Sequence, residues 1–173
     1  MVELVPSRPE YAELWQQWRA EPSATRYNPL ASTSIEGLRE RISKTSSDLS
    51  SLQGAKEFQF FVRHESEIVG VVGLVNISHM MMYGEIGYSF VERFHGRGIG
   101  TAAVSALVSK IFRETEMRRL MAYVADGNLA SRKLLERLGF QQEGICREHF
   151  IINGVPTNEI LYGLLRRDFK VGK

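Results

Sequence analysis

A glycine-rich segment in the middle of the chain carries the clearest signal for chemistry. Three of its residues are glycines, and it lies between a predicted strand and a predicted helix in the run His95-Gly96-Arg97-Gly98-Ile99-Gly100-Thr101. Glycines let the backbone approach a ligand closely, and the first N–H groups of a helix attract anions. Arg97 can add a charge-assisted hydrogen bond. The segment therefore predicts an anion-binding site, and a pyrophosphate fits it best.

The segment lacks the residues that two common nucleotide sites require. A P-loop needs Gly-Lys followed by Ser or Thr, and the sequence contains no such run. A dinucleotide fingerprint needs a further glycine at position 101, where Thr101 stands. A P-loop nucleotidase is therefore not indicated, and a dinucleotide-dependent enzyme is a disfavoured alternative.

A second motif follows downstream, at Asn128-Leu129-Ala130-Ser131, and the helix that it begins ends in Gly139-Phe140. Together with the glycine run, at this separation, it resembles the GNAT superfamily of N-acetyltransferases over residues 57 to 168. The tail, with Glu143-Gly144-Ile145 and Leu161-Tyr162-Gly163, is similar to the RimJ/RimL-type branch, which includes ribosomal-protein N-terminal acetyltransferases. The resemblance implies acetyl-CoA as cofactor, CoA as product and an amine as acceptor.

The resemblance also implies which residues bind acetyl-CoA. The run from His95 to Thr101 would hold the pyrophosphate, although His95 replaces the Gln or Arg of the family pattern. The preceding strand would hold the pantetheine arm through Ser89, Phe90 and Val91. Asn128 would hydrogen-bond to the same arm, and Asn at a helix start is also a good N-cap.

Acetyl transfer to an amine needs a group that removes the proton of the amine. Glu85 is the predicted base, because the apolar alternation of its strand leaves its side chain off the core face. Three residues on the tail strands are competing candidates, namely Glu148, His149 and Glu159.

The departing thiolate needs a hydrogen-bond or proton donor. Many members of the family have a tyrosine seven residues after the motif Asn, where this chain has Leu135. The predicted donor is therefore Ser131, which lies one turn after Asn128, or a water molecule, or Tyr162. Cys146 has no partner signature of an activated nucleophile, so direct transfer without an acetyl-enzyme is expected.

The acceptor is predicted to be the N-terminal α-amine of a protein or peptide, as the branch resemblance suggests. The alternatives are a small amine, such as a polyamine, an amino acid or an aminoglycoside, and a non-catalytic CoA-binding module, which the absence of a tyrosine at position 135 keeps open. Tyr27 and Asn28 are predicted to contact the acceptor. The N-terminal segments are not conspicuously acidic, which favours a peptide or a small neutral amine.

The length of 173 residues predicts a single domain, and hydrophobic periodicity indicates both helices and strands in it. Residues 1–55 are predicted to form a helical layer on the substrate side, with one helix over Glu10–Arg19 and a second capped by Ser34. From Glu57 the apolar period changes to that of strands. The GNAT resemblance implies an α/β fold with a central, mostly antiparallel mixed sheet of six or seven strands and helices on both faces. Acetyl-CoA would enter where two parallel strands splay apart.

Composition excludes several other classes of function. The 22 basic and 20 acidic residues give a net charge of +2, which does not predict nucleic acid binding. A single cysteine cannot form an internal disulfide, and the histidines lack metal-ligand spacing, so no metal site is predicted. The longest apolar stretch, Ile68 to Ile77, is about half a membrane span. We therefore expect a cytoplasmic protein without a membrane anchor, as a monomer or as a homodimer paired through the tail hairpin.

Overall fold

The computed structural model describes residues 1–28, 30–51 and 55–170 of the 173-residue chain. At its centre is a seven-stranded sheet in the order β1-β2-β3-β4-β5-β7-β6. Neighbouring strands are antiparallel except β4 and β5, which are parallel. This confirms the predicted mixed, mostly antiparallel sheet. The strands are β1 Val2–Pro6, β2 Phe58–His64, β3 Glu67–Ser78, β4 Tyr83–Phe90, β5 Arg119–Ala125, β6 Gln141–Ile152 and β7 Val155–Leu165.

Five α-helices lie in the described part of the chain, and they are α1 Ala12–Arg19, α2 Pro22–Thr25, α3 Ile35–Lys44, α4 Ile99–Glu114 and α5 Leu129–Arg137. The second helix predicted from the sequence is α3. Ser34 Oγ accepts a hydrogen bond from the N–H of Gly37 at 3.1 Å, which confirms the predicted cap. None of the described helices is long and apolar enough to span a membrane.

Buried clusters attach helices to both faces of the sheet, as predicted. On one face, Trp15 and Trp18 of α1 and Leu38 of α3 pack against Phe61 of β2. On the other face, α4 and α5 cover a larger core, and Leu135 of α5 is fully buried there. The site can therefore receive residues from both layers.

The parallel strands β4 and β5 begin side by side and then part. Three register pairs join them, the last between Glu85 and Met121. β4 continues to Phe90 and β5 to Ala125, and no described residues pair beyond that point. Diverging strands leave backbone N–H and C=O groups without ladder partners. This parting, called the fork below, lies where the GNAT resemblance implies entry of acetyl-CoA.

The first 55 residues depart from the prediction of a helical layer, because Val2–Pro6 forms β1 at the edge of the sheet. β1 is antiparallel to β2, with Leu4 opposite Val62, and Val5 is buried. Five residues give too short an alternation to distinguish a strand from a loop by periodicity. The edge register with β2, which is distant in sequence, decides the conformation.

Candidate active site

A cavity of about 480 Å³ follows the fork from the glycine-rich loop to the β5 and β7 strands. It is lined by residues of β4, β5, β7, α4 and α5 and of the segment around α2. Most of the residues predicted for the site line it, namely Tyr27, Asn28, Glu85, Ser89, Phe90, His95, Gly96, Gly98, Gly100, Thr101, Asn128 and Ser131. The glycine-rich loop, the start of α5, β4 and the segment after α2 therefore all contribute to this cavity.

The glycine-rich loop forms one end of the cavity, which we call the phosphate end. Gly96 and Gly98 have φ of +73° and +76°, a region that disfavours other residues, and Gly98 is the N-cap of α4. A Cβ at either glycine would meet no atom within 4 Å, so both face open space. The first N–H groups of the 16-residue α4 lack partners within the helix and provide a site for a phosphate.

His95 stabilises this loop through its ring. Its Nε2 lies 2.9 Å from the carbonyl oxygen of Phe90, and since a carbonyl can only accept, Nε2–H is the donor. The residue that replaces the family's Gln or Arg therefore ties the end of β4 to the loop.

Two cations at the phosphate end were missed by the sequence analysis. Lys133 and Arg137 of α5 line the cavity, and neither forms an ion pair with another described residue. Their spacing of four residues on an amphipathic helix is a signal that could have found them. They add positive charge where a polyanionic cofactor would lie.

Ser23 is a third residue that sequence reasoning missed. It lines the cavity, and its Oγ is buried without a hydrogen-bond partner among the described residues. Buried hydroxyl groups normally have partners, so this one is available to a ligand atom or a water molecule. Open space at two glycines, an orphaned hydroxyl and two cations fit acetyl-CoA.

Tyr27 and Asn28 close the cavity from the segment after α2. Tyr27 approaches Gly127 in the β5–α5 loop, where an added Cβ would lie 3.4 Å from its ring. The other end of α2 is tied to the turn after β4, because the N–H of Glu92 donates to Glu21 Oε2 at 2.8 Å. This segment therefore bridges the two sides of the fork.

Glu85 occupies the last register pair before the fork opens. Its Oε2 accepts a hydrogen bond from Asn76 Nδ2 at 2.8 Å. Asn76 has φ of +48° and lies at an irregularity in the β3–β4 register. A bulge of this kind can redirect a side chain, and no signal in the sequence indicated it.

Glu159 of β7 is a second carboxylate in the cavity, and its side chain is only 3% exposed. Burial raises the pKa of the Glu159 carboxyl, and the hydrogen bond with His149 Nδ1 at 2.7 Å opposes that rise. The negative charge of Glu85 adds to the increase. The ring of Tyr123 packs 5.4 Å from that of His149 and also lines the cavity. We call the end that contains Glu85 and Glu159 the acceptor end.

Asn128 and Ser131 lie at the start of α5. Asn128 Oδ1 accepts a hydrogen bond from the N–H of Ser131 at 3.2 Å, so Asn128 is the N-cap. Ser131 Oγ lies 2.6 Å from the hydroxyl oxygen of Tyr88 on β4. Both Ser131 and Tyr88 line the cavity.

Four predicted site residues do not line the cavity. Tyr162, one of the predicted donors, lies on the face of β7 opposite Glu159, under α5 and outside the cavity lining. It is fully buried, and its hydroxyl donates to Glu136 Oε1 at 2.8 Å. The side chains of Val91 and Ile99 are buried in the two cores.

Arg97, the fourth of these residues, has its guanidinium 5.5 Å from the centre of the Phe94 ring. Two of the competing base candidates are also outside the cavity lining. Glu148 is exposed, and His149 does not line the cavity but contacts two residues that do, Glu159 and Tyr123. Of the three tail candidates, only Glu159 lines the cavity.

Comparison with known proteins shows which family this chain belongs to. A model of the acetyltransferase (GNAT) domain matches residues 2–141. The ribosomal protein uS5-alanine N-acetyltransferase of Escherichia coli is 30% identical over 117 residues, which cover 67% of this chain and 60% of that protein. The spermidine N(1)-acetyltransferase of Escherichia coli is 29% identical over 104 residues, which cover 60% of this chain and 56% of that protein. Each match thus spans less than two thirds of the relative's own length.

Solved structures share the complete fold. The crystal structure of the ribosomal-protein-S5-alanine acetyltransferase from Vibrio fischeri superposes with a TM-score of 0.83 at 26% identity. The superposition covers 98% of this chain and 94% of that one. With a family model that matches most of the sequence and this agreement in fold, the chain belongs to the GNAT acetyltransferases, a family whose acetyl donor is acetyl-CoA.

Proposed function

We propose that this protein transfers the acetyl group of acetyl-CoA to a primary amine, and that the acceptor is the N-terminal α-amine of a protein. The observation that carries this proposal is one cavity with two electrostatically different ends. The phosphate end has the N-terminus of α4 and the side chains of Lys133 and Arg137. The acceptor end has two carboxylates, those of Glu85 and Glu159. A polyanionic donor and a cationic amine need opposite environments of this kind.

Acetyl-CoA supplies an activated thioester and a pyrophosphate by which it can be held. The backbone N–H groups between His95 and Thr101 would bind the pyrophosphate, and Lys133 and Arg137 would add charge to the same end. The backbone of β4 near Ser89 and Phe90, which has no partner on β5, would hold the pantetheine arm. The side-chain nitrogen of Asn128 would also donate to this arm, because its side-chain oxygen already caps α5.

Glu85 is the proposed general base. It lies in the last register pair before β4 and β5 part, and its side chain lines the cavity there. The hydrogen bond from Asn76 fixes one oxygen, and no described residue bonds to the other. A fixed carboxylate with one available oxygen can take a proton from an amine directly or through one water molecule.

Glu159 has a different proposed role, which is to bind the amine as it enters as an ammonium ion. It lies one strand further from the fork than Glu85, across β5 on β7. A buried carboxylate is stabilised by a nearby cation. Among the described residues, the ring of His149 is the basic group that contacts the Glu159 carboxylate. An incoming ammonium ion, next to Tyr27 and Tyr123, would supply that charge and gain cation–π contacts.

The number of carboxylates favours an acceptor with one positive charge. Among the described residues, Glu85 and Glu159 are the acidic side chains that line the cavity. If one is the base, one remains to bind charge, which suits a peptide N-terminus better than a polyamine with several ammonium groups. The uS5-alanine acetyltransferase relative supports a protein acceptor, and the spermidine acetyltransferase relative keeps a polyamine as the second candidate.

Release of free thiol from acetyl-CoA tests the proposal. The acceptors are a peptide with a free N-terminus, the same peptide with a blocked N-terminus, and spermidine. We expect turnover with the free peptide alone. Turnover with spermidine alone would replace the protein acceptor by a polyamine, and CoA binding without turnover with any amine would indicate a binding module.

A pair of variants tests the proposed base. Glu85→Gln should lose at least about 100-fold in kcat and keep the Kd for CoA, because only proton transfer is affected. Glu116→Gln is the matched control, since Glu116 is exposed and does not line the cavity. Wild-type kcat in Glu85→Gln would contradict the assignment, and a large loss in Glu159→Gln alone would move the base to Glu159.

A further inference from the structure

The ring of His149 contacts the buried carboxylate at the acceptor end of the cavity. His149 Nδ1 lies 2.7 Å from Glu159 Oε2, and the Glu159 side chain is 3% exposed. The His149 side chain is 46% exposed, so its ring can exchange protons with solvent. Among the described residues, no other basic side chain forms an ion pair with Glu159. The positive charge that the protein supplies to this carboxylate therefore depends on the protonation of one histidine.

An irregularity in β6 turns His149 toward β7. The register between the two strands shifts between Cys146 and Phe150. Glu148 lies inside this irregularity with φ of +49°, and its N–H donates to Asn158 Oδ1 at 2.9 Å. A bulge can re-aim a side chain, and the hydrogen bond to Asn158 fixes this one in place. The contact of His149 with the carboxylate on β7 is therefore built into the backbone of the hairpin.

Two aromatic rings hold the imidazole beside the cavity. The ring of His149 is stacked on that of Phe150, with centroids 5.2 Å apart and an interplanar angle of 18°. Its centroid lies 5.4 Å from that of Tyr123. Both aromatic residues line the cavity, whereas His149 does not. His149 can therefore influence a ligand in the cavity without touching it.

The two oxygens of Glu159 have different surroundings. Oε2 is held by His149, and Oε1 accepts no hydrogen bond from a described residue. A neutral imidazole donates from Nδ1–H and leaves the negative charge of the carboxylate without a counter-charge. A protonated imidazole makes the same hydrogen bond and supplies a positive charge as well. An ammonium ion at Oε1 would then meet a like charge on the other side of the carboxylate.

We propose that His149 is a positioning residue for Glu159 whose protonation weakens the binding of a cationic acceptor. This inference rests on the proposed function, in which Glu159 binds the amine as an ammonium ion. While the ring is neutral, it orients the carboxylate and the acceptor supplies the counter-charge. Histidine is the side chain that ordinarily changes charge between about pH 5 and pH 8. Binding of one ammonium ion therefore releases up to one proton from the imidazole to solvent, and no covalent bond between heavy atoms changes.

Other titratable groups lie around this carboxylate and could add a pH dependence of their own. They are Glu85 of β4, Tyr123 of β5, Cys146 opposite Glu159 in the register of β6, its neighbours Arg147 and Glu148, and Tyr27 across the cavity. A substitution at position 149 keeps all of them. A difference in pH dependence between such a variant and the wild type therefore belongs to the His149 ring.

Isothermal titration calorimetry of the CoA complex with a peptide that has a free N-terminus tests the proposal. CoA has no acetyl group to transfer, so binding is measured without turnover. Below about pH 7 the α-amine of the peptide is mainly protonated, which keeps the charge of the ligand constant. We expect the Kd for the peptide to be about threefold higher at about pH 5.5 than at about pH 7, a modest effect because the His149 side chain is half exposed. In His149→Asn, whose neutral amide nitrogen can take the place of Nδ1, the Kd should not change between these two values of pH.

The same titrations in two buffers of different ionisation enthalpy measure the protons released on binding. Near about pH 6, the wild type should release part of one proton for each peptide bound, and His149→Asn should release none. Equal release by the variant and the wild type, or no release by the wild type, would overturn the proposal. If His149→Asn unfolds below the assay temperature, His149→Gln must lose the pH dependence of the Kd, or the proposal is wrong.

His64→Asn is the matched control. His64 Nε2 also lies near a carboxylate, 3.8 Å from Glu65 Oε1, but His64 is on β2 and outside the cavity lining. This variant should keep the pH dependence of the wild type. Peptide binding with a Kd that does not change with pH would overturn this inference and leave the proposed function standing. Failure of the peptide and of spermidine to bind would contradict both.

Discussion

Replacing Gly98 with alanine should weaken the binding of CoA at least about tenfold. Gly98 has φ of +76°, where a residue with a Cβ costs roughly 1–2 kcal/mol. Alanine can relieve this cost by rotating to negative φ, which turns the first N–H groups of α4 away from the phosphate end. Binding must then restore the strained conformation, and about 1.4 kcal/mol corresponds to a factor of ten in Kd. The added Cβ also enters open cavity space, which increases the loss.

Gly154 provides a matched control for this experiment. It has φ of +80° in the turn between β6 and β7, and a Cβ there would also meet no atom within 4 Å. Both alanine variants should lose about 1 kcal/mol of stability, which lowers Tm by about 2–4 °C for a chain of this size. Isothermal titration calorimetry should find weaker CoA binding only in Gly98→Ala. A wild-type Kd in Gly98→Ala, or an equal loss in Gly154→Ala, would refute the phosphate-binding role of the loop.

Three further predictions concern charge and capping. Burial raises the pKa of Glu159, so ionisation of this carboxyl opposes folding as the pH rises through that pKa. Glu159→Gln should therefore have a higher Tm than the wild type at about pH 8, and this advantage should disappear as the pH falls below the ordinary carboxyl pKa of about 4.3. Removal of Lys133 and Arg137 together should weaken CoA binding and flatten its salt dependence, whereas Lys110→Ala on α4, which is paired with Glu114, should not. Ser34→Ala should cost about 1 kcal/mol in urea unfolding with no change in CoA affinity, and an unchanged midpoint would contradict the cap.

Features that depend on neighbouring residues were predictable from the sequence. The glycine run indicated a turn into a helix N-terminus, and Ser34 and Asn128 indicated helix starts, because each signal acts within a few residues of its effect. Alternation along β4 also assigned Glu85 to the side away from the core. These local signals predicted the glycine-rich loop at the start of α4 and the start of α5.

Features that depend on register between distant segments were not predictable. The hydrogen bond from Asn76 to Glu85 requires the register irregularity between β3 and β4. The hydrogen bond between Tyr88 and Ser131 requires the start of α5 to lie next to Tyr88 of β4. The position of Tyr162 outside the cavity lining depends on register in the same way. Shifting a strand by one residue exchanges its two faces, so the tail sequence alone could not decide whether Tyr162 or Glu159 faces the cavity.

A crystal structure of the complex with acetyl-CoA tests the central claim most directly. The account predicts the pyrophosphate against the backbone N–H groups of the loop from His95 to Gly100. It also predicts the pantetheine arm within the fork, with the thioester between Glu85 and the Tyr88–Ser131 pair. A cofactor bound elsewhere, or one whose thioester lies outside the gap between β4 and β5, would contradict the account.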